Sequence, residues 1–237
     1  MSYRSLDPRL IIETAERLEA RIADRFPETG LRKVGKELVS LARDMRDAAV
    51  DLQRPIRWLR ILVGVVIVLG ACVLLTVGAY LRFDRLTGSG DVIESMQGIE
   101  AALNTVILVT VGVLALVHTE DRIKRRRVLR QLHGLRSLIH VIDMHQLTKD
   151  PAALSSGFKP AAHSPKRTMS RADLLRYLDY CSEMLSITGK LAALFAQSVN
   201  DEVVVAAVND VENLGSNLSR KIWQKITMLD AENGTAS

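Results

Sequence analysis

The chain has 237 residues, of which 48% are apolar and only 4% aromatic, and its net charge at neutral pH is +5. This composition favours an all-α membrane protein, and no segment has the alternating pattern of a β-strand. Its two cysteines exclude a structure held by disulfides, because Cys72 lies within an apolar run and Cys181 in a polar helical segment.

The N-terminal part, residues 1–57, is predicted to form cytoplasmic helices. Asp7 followed by Pro8 is typical of a helix start. Apolar residues three and four positions apart then predict a heptad seam, typical of a coiled coil. The seam consists of Leu31, Val34, Leu38, Leu41, Met45, Ala48 and Leu52. Pro55 predicts a kink or break before the next element.

Residues 58–120 are predicted to form a transmembrane hairpin. Residues 61–81 contain no charged side chain, and a helix of this length crosses the hydrocarbon layer, which is about 30 Å thick. Residues 101–118 form a second, shorter span, and residues 82–100 form the loop between them. Only helices satisfy their own backbone groups in lipid, so we expect both runs to be helical.

The basic residues predict the orientation of this hairpin. Arginines cluster before the first span and after the second, whereas the loop has only Arg82 and Arg85. Because positive residues are retained on the cytoplasmic side, both termini are expected in the cytoplasm. We therefore expect a two-pass protein of the cell (inner) membrane.

Small and weakly polar residues recur every seven positions in both spans, which places them on one face of each helix. Such a face permits close helix packing within or between subunits, and in an assembly it could line a pore. The recurring residues are Gly64, Ala71 and Gly78 in the first span and Thr105, Gly112 and Thr119 in the second; Asn104, next to Thr105, could hydrogen-bond across helices or line the pore with it.

A basic cluster directly follows the second span. The nearest anionic groups are lipid phosphates, and each basic residue close to an anionic leaflet contributes about 1 kcal/mol to binding. We therefore predict contact with anionic headgroups and no nucleic-acid binding. The alternative is that the cluster only follows the positive-inside tendency of cytoplasmic flanks and has no further role. It consists of Arg122, Lys124, Arg125, Arg126, Arg127 and Arg130.

The C-terminal half is predicted to continue as cytoplasmic helices. Residues 121–148 extend the second membrane helix, with a seam at Val128, Leu132, Leu135, Ile139 and Ile142. Residues 149–169 read as a flexible linker, and residues 170–230 as a pair of helices whose first turn is capped by Ser170. Residues 231–237 are predicted to be a disordered tail. Together these helices predict a coiled-coil-like bundle.

Three residues invite a chemical interpretation. His133 and His140 share a helix face, with Asp143 one turn further on, and imidazole titrates near neutral pH. They are weak candidates for pH sensing, and a single helix cannot complete a metal site from this set. The sequence has no phosphate-binding glycine loop, nucleophile elbow or helical zinc motif, so we predict no enzyme, no metal and no cofactor.

The leading functional hypothesis is a membrane-anchored helical scaffold that forms homo-oligomers through its coiled-coil helices and presents a cytoplasmic surface to a protein partner. Aromatic and basic residues near the C-terminus are the candidate contacts, because such residues often anchor interfaces. These are Tyr177, Tyr180, Arg220, Lys221 and Trp223. The alternative is an oligomeric two-pass ion channel or mechanically gated pore, and a membrane-surface enzyme using the two histidines and Asp143 ranks third.

Overall fold

The computed structural model describes residues 5–87, 92–154, 159, 161–163, 169–199 and 201–234. The described residues form helices and no β-strand, so the all-α prediction is confirmed. The long helices are α1 (Pro8–Arg25), α2 (Gly30–Gln53), α3 (Arg57–Thr87), α4 (Val92–Leu147), α5 (Arg171–Ser198) and α6 (Glu202–Gly234), with a short 3-10 helix at Pro151–Leu154.

The chain divides into two compact units. The first, here called the bundle unit, comprises Met1–Gln53 and Arg127–Ser237. The second, here called the apolar unit, comprises Arg54–Arg126. Helix α4 contributes its first part to the apolar unit and its last part to the bundle unit.

Side-chain caps begin the helices of the bundle unit at the expected residues. The Asp7 carboxylate accepts a hydrogen bond of 2.9 Å from the backbone N–H of Arg9, and Pro8 occupies the first turn of α1. Ser170 accepts a bond of 3.1 Å from the backbone N–H of Asp173, which confirms the predicted start of α5. Each cap satisfies a backbone donor that the first helical turn leaves unpaired.

The predicted seam of α2 is confirmed, but the buried stripe is rotated slightly around the helix. Five of the seven seam residues are buried, whereas Leu41 and Ala48 are only partly so, and Ala42 and Ala49 are buried in their place. A straight helix has 3.6 residues per turn, so its buried stripe drifts away from a strict seven-residue repeat. Because α2 packs on α1 and α5 of the same chain, the seam is used inside the bundle unit.

Helix α5 is the centre of the bundle unit. It packs against α1, α2 and α6, and Leu178, Met184 and Phe195 are fully buried along its length. The predicted seam after the second apolar run is confirmed, because all its residues are buried in the same core. They are Val128, Leu132, Leu135, Ile139 and Ile142.

Two C-terminal segments are more ordered than their composition suggests. Pro151–Leu154, in the predicted linker, forms a 3-10 helix that contacts α6, while 155–158, 160 and 164–168 lie outside the described residues. Helix α6 continues to Gly234, four residues into the predicted tail. No proline or glycine interrupts the chain between Ser216 and that glycine, so nothing ends the helix earlier.

The predicted break before the first apolar run is confirmed. Helix α2 ends at Gln53 and α3 begins at Arg57, with Pro55 in the non-helical step between them. Within the apolar unit, the Glu120 carboxylate of α4 accepts a bond of 3.3 Å from the backbone N–H of Ile56. This bond satisfies a donor at the start of α3.

Within the part of the chain that the structure describes, two helices are long and apolar enough to cross a membrane. Their most apolar windows, within Gly30–Ala79 and Met96–Leu147, have mean hydropathies of 2.9 and 2.1, and at most 6% of either window is buried. The helices also extend into the predicted loop 82–100, since α3 ends at Thr87 and α4 begins at Val92. Charged residues end an apolar run without ending a helix, which explains this difference.

Candidate interaction surfaces

Helices α3 and α4 contact each other in the apolar unit through glycines. A Cβ added to Gly70 would collide with Cγ2 of Val109, and one added to Gly112 would lie 3.6 Å from Cγ1 of Val66. Glycine therefore permits close approach of the two helices, as is typical of helix pairs that associate in lipid.

The predicted small-residue stripe of α3 does not lie at this contact. A Cβ added to Gly64 or Gly78 would meet no described atom within 4 Å, and Ala71 is exposed. Successive residues are rotated by about 100° around a helix, so a stripe through Ala71 cannot share the face of Gly70. The alternative that this stripe packs within the subunit is wrong, and the alternative of packing between subunits stays a prediction.

The predicted polar positions of α4 divide between two faces. Thr105 and Gly112 are half-buried, whereas Asn104 and Thr119 are exposed. Both threonine hydroxyls donate to the carbonyl one turn earlier, at 2.8 Å for Thr105 and 2.7 Å for Thr119. The Asn104 side chain is exposed, and its amide makes no hydrogen bond with the described part of the chain.

The basic cluster surrounds α4 on several sides. Four of its members are exposed, namely Arg122, Arg126, Arg127 and Arg130. Lys124 is half-buried, and its Nζ lies 2.8 Å from a carboxylate oxygen of Glu120. Hydrogen bonding to Lys124 lowers the pKa of Glu120, so this carboxylate stays charged and holds the lysine at the helix surface.

The predicted contact residues of the C-terminal helices fall into two groups. Tyr177 and Tyr180 are buried, and their rings lie edge-on to Phe26 with centroids 5.6 Å and 6.2 Å away. They belong to the core, because the α5 stripe on which they lie faces α1 and α2, and their prediction as partner contacts is wrong. Arg220, Lys221 and Trp223 are exposed on α6 and remain available.

Trp223 stands in a groove between α5 and α6, here called the α5–α6 groove. Toward one side the groove has a volume of about 530 Å³ and is lined by small residues, including Gly189, Gly215 and Ser216. Toward the other side it has about 320 Å³ and is lined by Arg25, Arg176 and Ile226. We call these the glycine end and the arginine end. Trp223 lines both, and its side chain is 55% exposed.

The predicted pH-sensing residues do not form a site. His133 and His140 are exposed on α4, while the Asp143 carboxylate accepts a bond of 2.6 Å from Gln146. Within the described ranges, no group of three or more His, Cys, Asp or Glu side chains is placed to hold a metal ion.

A histidine outside that set occupies a more specific position. His145 is half-buried, its Nδ1 lies 3.5 Å from the Tyr177 hydroxyl, and its ring fills the space that a Cβ on Gly30 would need. Burial lowers the pKa of His145 below its ordinary value of 6.5, and the charge of Lys149 lowers it further. The imidazole is therefore held in its neutral form by the surrounding bundle.

Next to His145 in sequence, Gln146 is almost fully buried and binds Lys225 of α6. The Lys225 ammonium donates to the Gln146 carbonyl oxygen at 3.0 Å and to its Oε1 at 2.6 Å. Burial lowers the pKa of Lys225, and burial raises the pKa of the Cys181 thiol to about 12. A protonated thiol is a poor nucleophile, so this buried polar cluster joins helices and is not set up for covalent chemistry.

No protein-family model matches this chain, and neither a curated protein nor a solved structure is significantly similar to it.

Proposed function

We propose that this protein is a two-pass, membrane-anchored helical platform whose bundle unit lies in the cytoplasm and presents a binding surface to protein partners. One observation supports it above all: the apolar runs of α3 and α4 expose their side chains, including Leu75 and Leu108, whereas the bundle unit has a buried apolar core. Apolar exteriors of this extent are typical of helices solvated by lipid.

The proposed orientation follows from charge. The positive-inside tendency places both chain ends in the cytoplasm, because the arginines lie before α3 and on the part of α4 that follows the second apolar run. The exposed arginines of the basic cluster would then face the inner leaflet, where they bind anionic headgroups.

Self-association is part of the proposal, and the apolar unit is where we place it. The seam of α2 is already covered by α1 and α5, so it does not offer a free coiled-coil surface. The stripe of Gly64, Ala71 and Gly78 is open, and the exposed Asn104 amide would be stabilised in lipid by a hydrogen-bonding partner on a second copy.

Membrane extraction and topology mapping test the anchor. The protein should remain in the membrane pellet in alkaline carbonate. In a Cys72→Ala background, Ser89→Cys should react with an impermeant maleimide added to intact cells, and Ser237→Cys should react only after the membrane is opened. Release by carbonate, or labelling of Ser237→Cys from outside, would contradict the proposal.

The exposed Asn104 and Thr119 favour one second candidate, a pore formed by several apolar units. In this arrangement the two polar side chains would line a pathway. Purified protein in planar bilayers should then give single-channel currents that Asn104→Leu alters. A platform without a pore gives no current under voltage or membrane tension.

A further inference from the structure

Asn104 has the one amide side chain in the apolar residues 101–117 of α4. It is exposed and makes no hydrogen bond with the described part of the chain. The threonines of this run differ, because Thr105 and Thr110 each donate to a carbonyl of their own helix at 2.8 Å. An amide has two donor hydrogens and an acceptor oxygen, and leaving them unpaired in an apolar medium is costly. In lipid, the Asn104 amide therefore favours a partner from outside this chain.

The amide begins a stripe of exposed residues on α4. Val109, which meets Gly70 of α3, marks the side of α4 that contacts α3. Asn104 lies five residues before Val109, so at about 100° per residue it is turned about 140° away from that contact. Three further exposed residues follow Asn104 at spacings of four, three and four. The stripe, here called the Asn104 face, consists of Asn104, Leu108, Val111 and Ala115.

The symmetry of a membrane limits what can meet this face in a second copy. Two copies inserted in the same orientation are related by an axis along the membrane normal, so each residue meets the same residue of the other copy at the same depth. The asparagine amide is self-complementary, because its NH₂ group donates and its oxygen accepts. Two Asn104 amides can therefore satisfy each other across the axis. Residues 104–117 contain no charged side chain, so no like charges meet along the face.

We propose that α4 packs in parallel against α4 of a second copy through the Asn104 face, with the two Asn104 amides hydrogen-bonded to each other. Alternating spacings of three and four residues are typical of paired left-handed helices, and a single polar residue in such a seam fixes the register. The small side chain of Ala115 permits close approach of the two helices. The inference rests on the proposed function and deepens it, since it names the helix and the residue pair through which the copies meet.

Disulfide cross-linking of the full-length protein in lipid bilayers tests the face. In a Cys72→Ala background, Val111→Cys should form an intermolecular disulfide under mild oxidation. Val106→Cys is the matched control, because both residues are exposed valines of the same run, at 58% for Val111 and 50% for Val106. The control lies five residues away, about 140° around the helix, and should give little dimer. The Cys72→Ala parent, which retains the buried Cys181, should form none.

Three further variants test the amide pair. Asn104→Leu should slow Val111→Cys cross-linking about threefold to thirtyfold, the range expected from losing a hydrogen bond between helices in a membrane. Asn104→Gln retains an amide and should keep most of the rate. Thr110→Val removes a hydroxyl that is already bonded within its own helix, so the rate should not change. Leucine is more apolar than asparagine, so Asn104→Leu should resist alkaline carbonate as the wild type does.

The outcomes separate this contact from the platform. Absence of a Val111→Cys dimer, equal cross-linking of Val111→Cys and Val106→Cys, or an unchanged rate in Asn104→Leu overturns the paired Asn104 face. If the protein is nevertheless oligomeric and resists carbonate, the platform proposal stands. If it is monomeric and released by carbonate, both proposals fail.

Discussion

Leu178 of the bundle unit and Leu75 of the apolar unit are both in long helices, but Leu178 has no exposed surface and Leu75 is 73% exposed. The bundle unit has one buried core of apolar side chains. In the apolar unit, Gly70 and Gly112 lie at the helix contact, while many valine, leucine and isoleucine side chains are exposed. Lipid does not penalise an exposed leucine, so the difference between the two units supports the proposed membrane anchor.

The largest effect should come from removing a core leucine. Leu178→Ala should lower the free energy of unfolding of the bundle unit by about 2–5 kcal/mol, because it leaves a cavity in a packed core. Leu75→Ala should leave that free energy unchanged. Hydrogen exchange of bundle amides in detergent micelles measures both, and equal effects would break the distinction between the two units.

The contact inside the apolar unit should be sensitive at one glycine and insensitive at another. Gly70→Leu should weaken the pairing of α3 with α4 by about 1–3 kcal/mol, because Val109 already occupies the space beside it. Gly64→Leu is the control, since it points into open space. A disulfide between Val66→Cys and Gly112→Cys, in a Cys72→Ala background, reports the pairing. Loss of this disulfide in the Gly64→Leu variant would contradict the assignment of faces.

The buried polar cluster of Gln146 and Lys225 should contribute less to the stability of the bundle unit than the apolar core does. Lys225→Met should lower the free energy of unfolding of the bundle unit by about 1–3 kcal/mol, because it leaves the buried Oε1 of Gln146 without its donor. Adding Gln146→Leu should recover part of the loss, since both polar groups are then removed. Lys221→Ala, on the exposed side of the same helix, should change the urea midpoint little.

The smallest predicted effect is a dependence of the stability of the bundle unit on pH. His145 has a lowered pKa in the folded bundle, so between its folded and ordinary values the unfolded chain binds more protons at this site. Its contribution to stability is therefore complete above about pH 6.5, the ordinary histidine value, and is lost as the pH falls through the folded pKa. The thermal midpoint of the wild type should fall more steeply between pH 7 and pH 5 than that of His145→Gln. Parallel curves would exclude His145 as the cause.

The sequence predicted the elements well because apolar periodicity is a local property. The seams of α2 and α4, the break at Pro55 and the cap at Ser170 depend on residues close together in the chain. The rotation of the α2 stripe toward Ala42 was not predictable, because alanine gives a weak hydropathy signal and its burial depends on which helix packs against it.

The candidate surfaces were predicted less well because they depend on contacts between distant segments. Tyr177 and Tyr180 have the aromatic character of interface anchors, but both are buried against Phe26, which follows α1 and is distant in sequence. A signal for the polar cluster was present: Gln146 continues the α4 seam one turn after Ile142, and Lys225 follows Ile222 on the buried stripe of α6. A polar residue at a seam position should be read as half of a buried pair.

The contact between Gly30 and His145 has an evolutionary consequence. Because the imidazole ring fills the volume that any side chain at position 30 would need, a side chain there requires the His145 ring to move or to be replaced. Related chains with alanine or serine at position 30 should therefore have a smaller residue at position 145, and chains that retain the histidine should retain the glycine. The change at position 145 should come first, because a smaller residue there is compatible with Gly30.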